Sequence, residues 1–136
     1  MARTLPLWAA ALWWGSLTTV GFFVVPMLFV HFPTPAMAGT MAGKLFTAQT
    51  AVSVACGVLM LVVFRSNRAL VPVDTAQSAT LFVVGGILLA LLAEFGVSPH
   101  IMARDNLALW HRVGAGMYLV QWGCAGVVFG KLAKLP

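Results

Sequence analysis

The chain has 136 residues, 61% of them hydrophobic and 8% charged, with a mean hydropathy of +0.97 and a formal net charge of +5. A water-facing surface needs about 25% charged residues, so a soluble globule is excluded and lipid must be the solvent for most of the surface. The basic residues stand singly at the ends of apolar runs, with no basic stripe interleaved with aromatics, which argues against nucleic acid as a partner.

Four apolar segments follow, each long enough to span a bilayer, for which about 20 residues suffice. The first covers residues 5–30. Ala36-Met37-Ala38 imitates a signal-peptide cleavage site, but the apolar run before it far exceeds the about 7–15 residues of a signal core, so it reads as a retained first helix. Ala11, Gly15 and Thr19 form a small-residue stripe for helix packing, and Pro26 is expected to kink the helix. Thr34 reads as an N-cap with Pro35 at the first helical position of the second helix, residues 35–64, which opens on the GxxxG pair Gly39 and Gly43.

The stretch from Arg65 to Gln77 is polar, and Asp74 with Gln77 reads as a capping pair for the third helix, residues 75–95. Gly85-Gly86 offers that helix a close contact, and Gly96-Val97-Ser98-Pro99 reads as its break. Asp105 or Asn106 is then expected to cap the fourth helix, residues 106–131, which carries a second GxxxG pair, Gly126 and Gly130. Trp8, Trp13, Trp14 and Trp110 lie near helix ends and read as interfacial belts. The expectation is an all-α integral membrane bundle of four transmembrane helices, one domain over residues 1–136, with a faint repeat of its two halves around Pro26 and Pro99.

Arg3, Arg65, Arg68, Lys131 and Lys134 fall on the side of the termini, against Lys44, Arg104 and Arg112 on the other. That asymmetry points to a multi-pass protein of a bacterial inner membrane with both termini cytoplasmic. Cys56 and Cys124 sit inside apolar segments without CxxC spacing and read as small buried hydrophobes.

The polar residues that are candidates for chemistry gather at the non-cytoplasmic end. Glu94 is the carboxylate within a helix, and intramembrane acids are functional suspects by default; it is placed to reach headgroups or pair with Lys44, Arg104 or Arg112. His111, Tyr118 and Gln121 lie along one stripe of the fourth helix, and Gln49, Ser53 and Cys56 along one of the second. Facing one another, they make a polar seam, which reads first as inter-helix hydrogen bonding at about 0.6 kcal/mol per contact and second as a small cavity. Glu94, His111, Gln49, Tyr118, Gln121 and Arg112 are thus the candidate polar site. His31, His100 and His111 match no ligand spacing such as HxxxH, HExxH or CxxCH, so no cofactor is expected; haem or copper is the alternative.

Trp14-Gly15-Ser16, Gly21, Pro26-Met27-Leu28-Phe29, Ala42-Gly43, Leu45-Phe46, Pro99-His100-Ile101 and His111 resemble the bacterial branch of the transmembrane-protein-205-like family. The resemblance implies a four-helix membrane domain and no reaction, because those members form a domain of unknown function. Pro26 to His31 also looks like the first-helix ending of membrane-embedded protoporphyrinogen oxidase, but the haem-ligating histidine that family needs before its tryptophan is absent here. The copper-resistance membrane proteins are similar in helix style but longer, and they too need clustered ligands. The leading reading is a non-enzymatic transporter, channel or accessory membrane subunit, with a homo-oligomer and the lipid bilayer as partners and a small-molecule ligand of unknown kind. A haem- or metal-binding redox protein using His111 and Glu94 is the alternative.

Overall fold

The structure, a computed structural model, describes residues 4–136; Arg3 lies outside the described residues. Four helices long and apolar enough to cross a membrane make up nearly all of it: α1, Leu5–His31; α2, Pro35–Ser66; α3, Val73–Met102; and α4, Leu107–Ala133. In hydrocarbon every backbone polar group must find its partner within the segment, so runs this apolar fold as helices. No strand is present among the described residues. Helices α1 and α3 each pack on α2 and α4, so the four stand as an antiparallel square with α1 opposite α3.

Thr34 caps α2 as expected, its hydroxyl accepting from the Met37 N–H at 3.2 Å, with Pro35 in the first turn. The expected caps of the other helices do not form. Helix α3 starts earlier, at Val73, with Pro72 in the capping position; Asp74 lies in the first turn, where its charge suits the helix dipole, without a capping bond to the backbone. Asn106 holds the capping position of α4 but in a left-handed conformation (φ 42°), and its side chain makes no cap bond.

The expected break at Gly96 to Pro99 is also absent. Helix α3 runs through it to Met102 by widening into a π-helical turn over Ala93–Val97, where Ser98 N–H bonds back to the Ala93 carbonyl. Helix α1 does the same over Val20–Val24, where Val25 N–H bonds to the Val20 carbonyl. Proline has no N–H to give and its ring collides with the preceding turn. The π turn absorbs both problems two residues before Pro26 and Pro99, and the helix goes on. The same number of residues separates Val20 from Ala93 and Pro26 from Pro99, so the two halves repeat this interruption in one register.

The small residues pack otherwise than their spacing suggests. Gly15 and Thr19 face outward, and α1 instead buries Ala9, Ala10, Trp13 and Leu17. A side chain fills each notch: Trp13 lies over Gly86, Trp14 over Gly126, Ile87 over Gly57 and Tyr118 over Gly21. Of the GxxxG pairs, Gly39 and Gly130 face open space. Trp13 is therefore no interfacial residue but a fully buried one, while Trp14 stacks on Phe129 with centroids 5.5 Å apart and lies 6.1 Å from Trp122. The main core cluster occupies the half of the bundle nearer the termini and the middle, and at the far end Ala38, Ala42 and Val97 are buried as well. Beyond Thr19 no residue of α1 is buried, and none of α4 before Gln121.

A Cβ on Gly86 would fall 2.4 Å from the Trp13 ring, whereas one on Gly85 meets nothing. Gly86→Ala is expected to destabilise by about 1–3 kcal/mol through overpacking and Gly85→Ala to leave stability unchanged, as read from unfolding midpoints in one mild detergent.

Candidate functional site

The middle of the bundle holds a ladder of uncharged polar side chains. The Gln49 amide N–H2 donates to Ser16 Oγ at 3.0 Å and toward Ser53 Oγ at 3.4 Å; the Ser53 hydroxyl donates to Gln121 Oε1 at 3.0 Å. Ser16 in turn donates to the Trp13 carbonyl. Three helices are tied together: Ser16 on α1, Gln49 and Ser53 on α2, Gln121 on α4. Spacing of four puts Gln49 and Ser53 on one face of α2. Gln49 and Gln121 are 5% exposed and Ser53 is fully buried, so the bonds of Ser53 form out of reach of water, while the Gln49–Ser16 bond is part-buried. Such groups in a low-dielectric interior stay only if partnered.

A second tier flanks the ladder. Tyr118 donates to the Leu17 carbonyl and meets Phe46 edge to face at 5.5 Å. Trp122 Nε1 donates to Thr18 Oγ1 at 2.9 Å, and the Thr18 hydroxyl donates to the Trp14 carbonyl at 2.7 Å. Among the described residues, the Trp13 indole N–H is the buried side-chain polar atom without a partner. Cys56 is buried beside the ladder on α2 and Cys124 is partly buried; both are free thiols.

Of the sequence candidates, Gln49, Gln121 and Tyr118 come together in these two tiers. His111 and Arg112 do not: both are exposed, on the stretch of α4 that buries nothing. Glu94 is also apart. It is half-buried in the π turn of α3 and accepts from the Thr47 hydroxyl at 2.7 Å; it forms no ion pair with Lys44, Arg104 or Arg112. His31 is exposed at the end of α1. His100 stacks on Trp110, centroids 4.1 Å apart and 8° from parallel, with Nδ1 3.4 Å from Asp105 Oδ2, and so pins the α3–α4 connection. No group of three or more His, Cys, Asp or Glu converges among the described residues. Ser16, Thr18, Thr47 and Trp122 are participants that spacing on single helices does not reveal; the cue for Ser16 is that it lies one residue from the buried Leu17 and three from Trp13.

Residues 8–108 match the model of a domain of unknown function, DUF4149. The chain belongs to this family. No curated protein and no solved structure matches it. The DUF4149 match covers α1, α2, α3 and the turn into α4, and so includes Ser16, Gln49, Ser53 and Glu94 but not Gln121.

The ladder yields a direct test of its own. In a double-mutant cycle of Ser53→Ala and Gln121→Leu, the coupling is expected near 0.6 kcal/mol, the mean for hydrogen bonds between membrane helices, measured from unfolding free energies in detergent or bicelles. Additive effects would mean that the two side chains do not bond.

Proposed function

We propose that this DUF4149 membrane protein is a non-enzymatic carrier of a small uncharged polar solute. The observation that carries the reading is the Ser16–Gln49–Ser53–Gln121 ladder, set at mid-bundle about one helical turn from a π–proline interruption of α1. Interrupted helices in corresponding positions of two halves are the sequence-level pointer to the binding region of secondary transporters, whose sites lie near the membrane midplane. Amides and hydroxyls exchange partners with a solute of like chemistry at little electrostatic cost, whereas a charged solute would need a countercharge that the ladder lacks. Beyond its π turn α1 buries no residue, and this end of the helix supplies the segment able to move.

Kinship with the transmembrane-protein-205-like family, bacterial branch, belongs to the same proposal, as do a bacterial inner membrane with both termini cytoplasmic and a homo-oligomeric assembly. Arg65, Arg68, Lys131 and Lys134 at the end of the termini support that orientation. The redox alternative requires His111 and Glu94 to meet around haem or copper; the exposed imidazole and the Thr47-bonded carboxylate give it no ligand set. A Soret band or near-stoichiometric copper in protein purified in mild detergent would restore it.

The carrier reading is tested in proteoliposomes by stopped-flow light scattering with glycerol and urea as probes. Wild-type vesicles are expected to equilibrate either solute several-fold faster than empty ones, and a Gln49→Leu/Gln121→Leu variant, helical by circular dichroism, to match the empty vesicles. Equal rates for wild-type and empty vesicles with both solutes sink the reading.

A further inference from the structure

The end of the bundle that carries the chain termini holds a feature that the ladder does not use. The first turn of α1, the connection between α2 and α3 and the tail after α4 border a half-open cavity of about 530 Å³, within the about 300–1,000 Å³ of small-molecule sites. Its walls are chiefly aliphatic, with Leu7, Leu70, Val71, Leu132 and Leu135 around one charged side chain, Arg68. Beyond the ends of α2 and α3, this level is where headgroups meet the protein. Arg65, Lys131 and Lys134 stand at the same end, and neither they nor Arg68 form an ion pair with any described residue. Asp74, the acid nearby in sequence, is exposed and likewise unpaired.

Charge bias alone orients a membrane protein and asks for no cavity. An apolar cleft bordered by an exposed, unpaired arginine asks for more: its complement is an amphiphile with an anionic head. Basic pockets between transmembrane helices at the headgroup level take lipids of that kind, and guanidinium is the side chain best matched to phosphate. We propose that this cavity is a binding site for an anionic phospholipid of the leaflet on the side of the termini, its phosphate held by Arg68 and its apolar part lying along Leu70 and Leu135. The site is separate from the ladder and stands whether or not the chain is a carrier.

The test is native mass spectrometry of the full chain released from detergent with equimolar phosphatidylglycerol and phosphatidylcholine. Wild type is expected to retain phosphatidylglycerol selectively. Arg68→Ala should lower that retention about fivefold, the equivalent of ~1 kcal/mol for one basic residue at an anionic surface. Leu70→Trp, which fills the cleft while keeping every charge, should lower it as much, and Lys44→Ala at the opposite end should not. Retention unchanged in both Arg68→Ala and Leu70→Trp overturns the proposal, as does a loss equal in Lys44→Ala, which would mean diffuse charge attraction. Inorganic phosphate is the last arm: if it raises the melting temperature as far as the lipid does, free phosphate and not a phospholipid is the ligand.

Discussion

The indole of Trp13 lying over the bare backbone at Gly86 is the contact on which the rest of the bundle is built. Helices in lipid gain nothing from the hydrophobic effect when they meet, so close dispersion contact and hydrogen bonding must hold them. Trp13 brings the two opposite helices, α1 and α3, into touch across the centre of the square. Trp14 over Gly126 and Ile87 over Gly57 then tie each of them to a neighbour, and these two residues are as far apart in sequence as the two prolines. Had a side chain stood at Gly86, α1 would have to retreat, and Ser16 would move away from Gln49.

That dependence explains why the polar ladder sits where it does. Its bonds span α1, α2 and α4 in the middle of the bundle, between the notch at Gly21 and those at Gly57, Gly86 and Gly126. The charged groups are kept elsewhere: Glu94 on the flank with Thr47, His100 with Asp105 at the outer turn, and Arg65, Arg68, Lys131 and Lys134 at the end of the termini. An uncharged centre with charge at both rims suits a low-dielectric medium, where an unpaired ion costs several kcal/mol and a paired amide very little.

Much of this was legible in the sequence because hydrophobicity dominates it. Four spans, the Thr34–Pro35 start of α2 and the pairing of the Gln49 and Gln121 stripes follow from length, spacing and cap chemistry. What did not follow shares one cause: the reading assigned each residue from its own helix. Pro99 read as part of a break because a single helix cannot display the π turn that accommodates it, and for the same reason nothing at Pro26 announced the π turn before it. Gly15 read as a packing residue because nothing in α1 alone says which small residues face a partner. His111 lines up with Tyr118 on α4, but it stands exposed on a stretch of the helix that buries no residue, so alignment does not carry it into the bundle. Glu94, placed by its position to reach headgroups or a cation, bonds the Thr47 hydroxyl on α2, a pairing set by tertiary placement.

The two π turns carry a further consequence. Each holds one residue more than an ordinary turn, so every side chain after Val24 in α1 and after Val97 in α3 is rotated by roughly 100° from where an uninterrupted helix would place it. The outer segments are thus dephased from the inner ones: the azimuth that carries Trp13 and Leu17 into the core points elsewhere beyond the turn. Removing a single residue from either turn would re-phase everything beyond it at once, the last seven residues of α1 or the last five of α3, and turn their faces about the helix axis. The bundle's outer surface is in this sense encoded by one supernumerary residue in each of two helices.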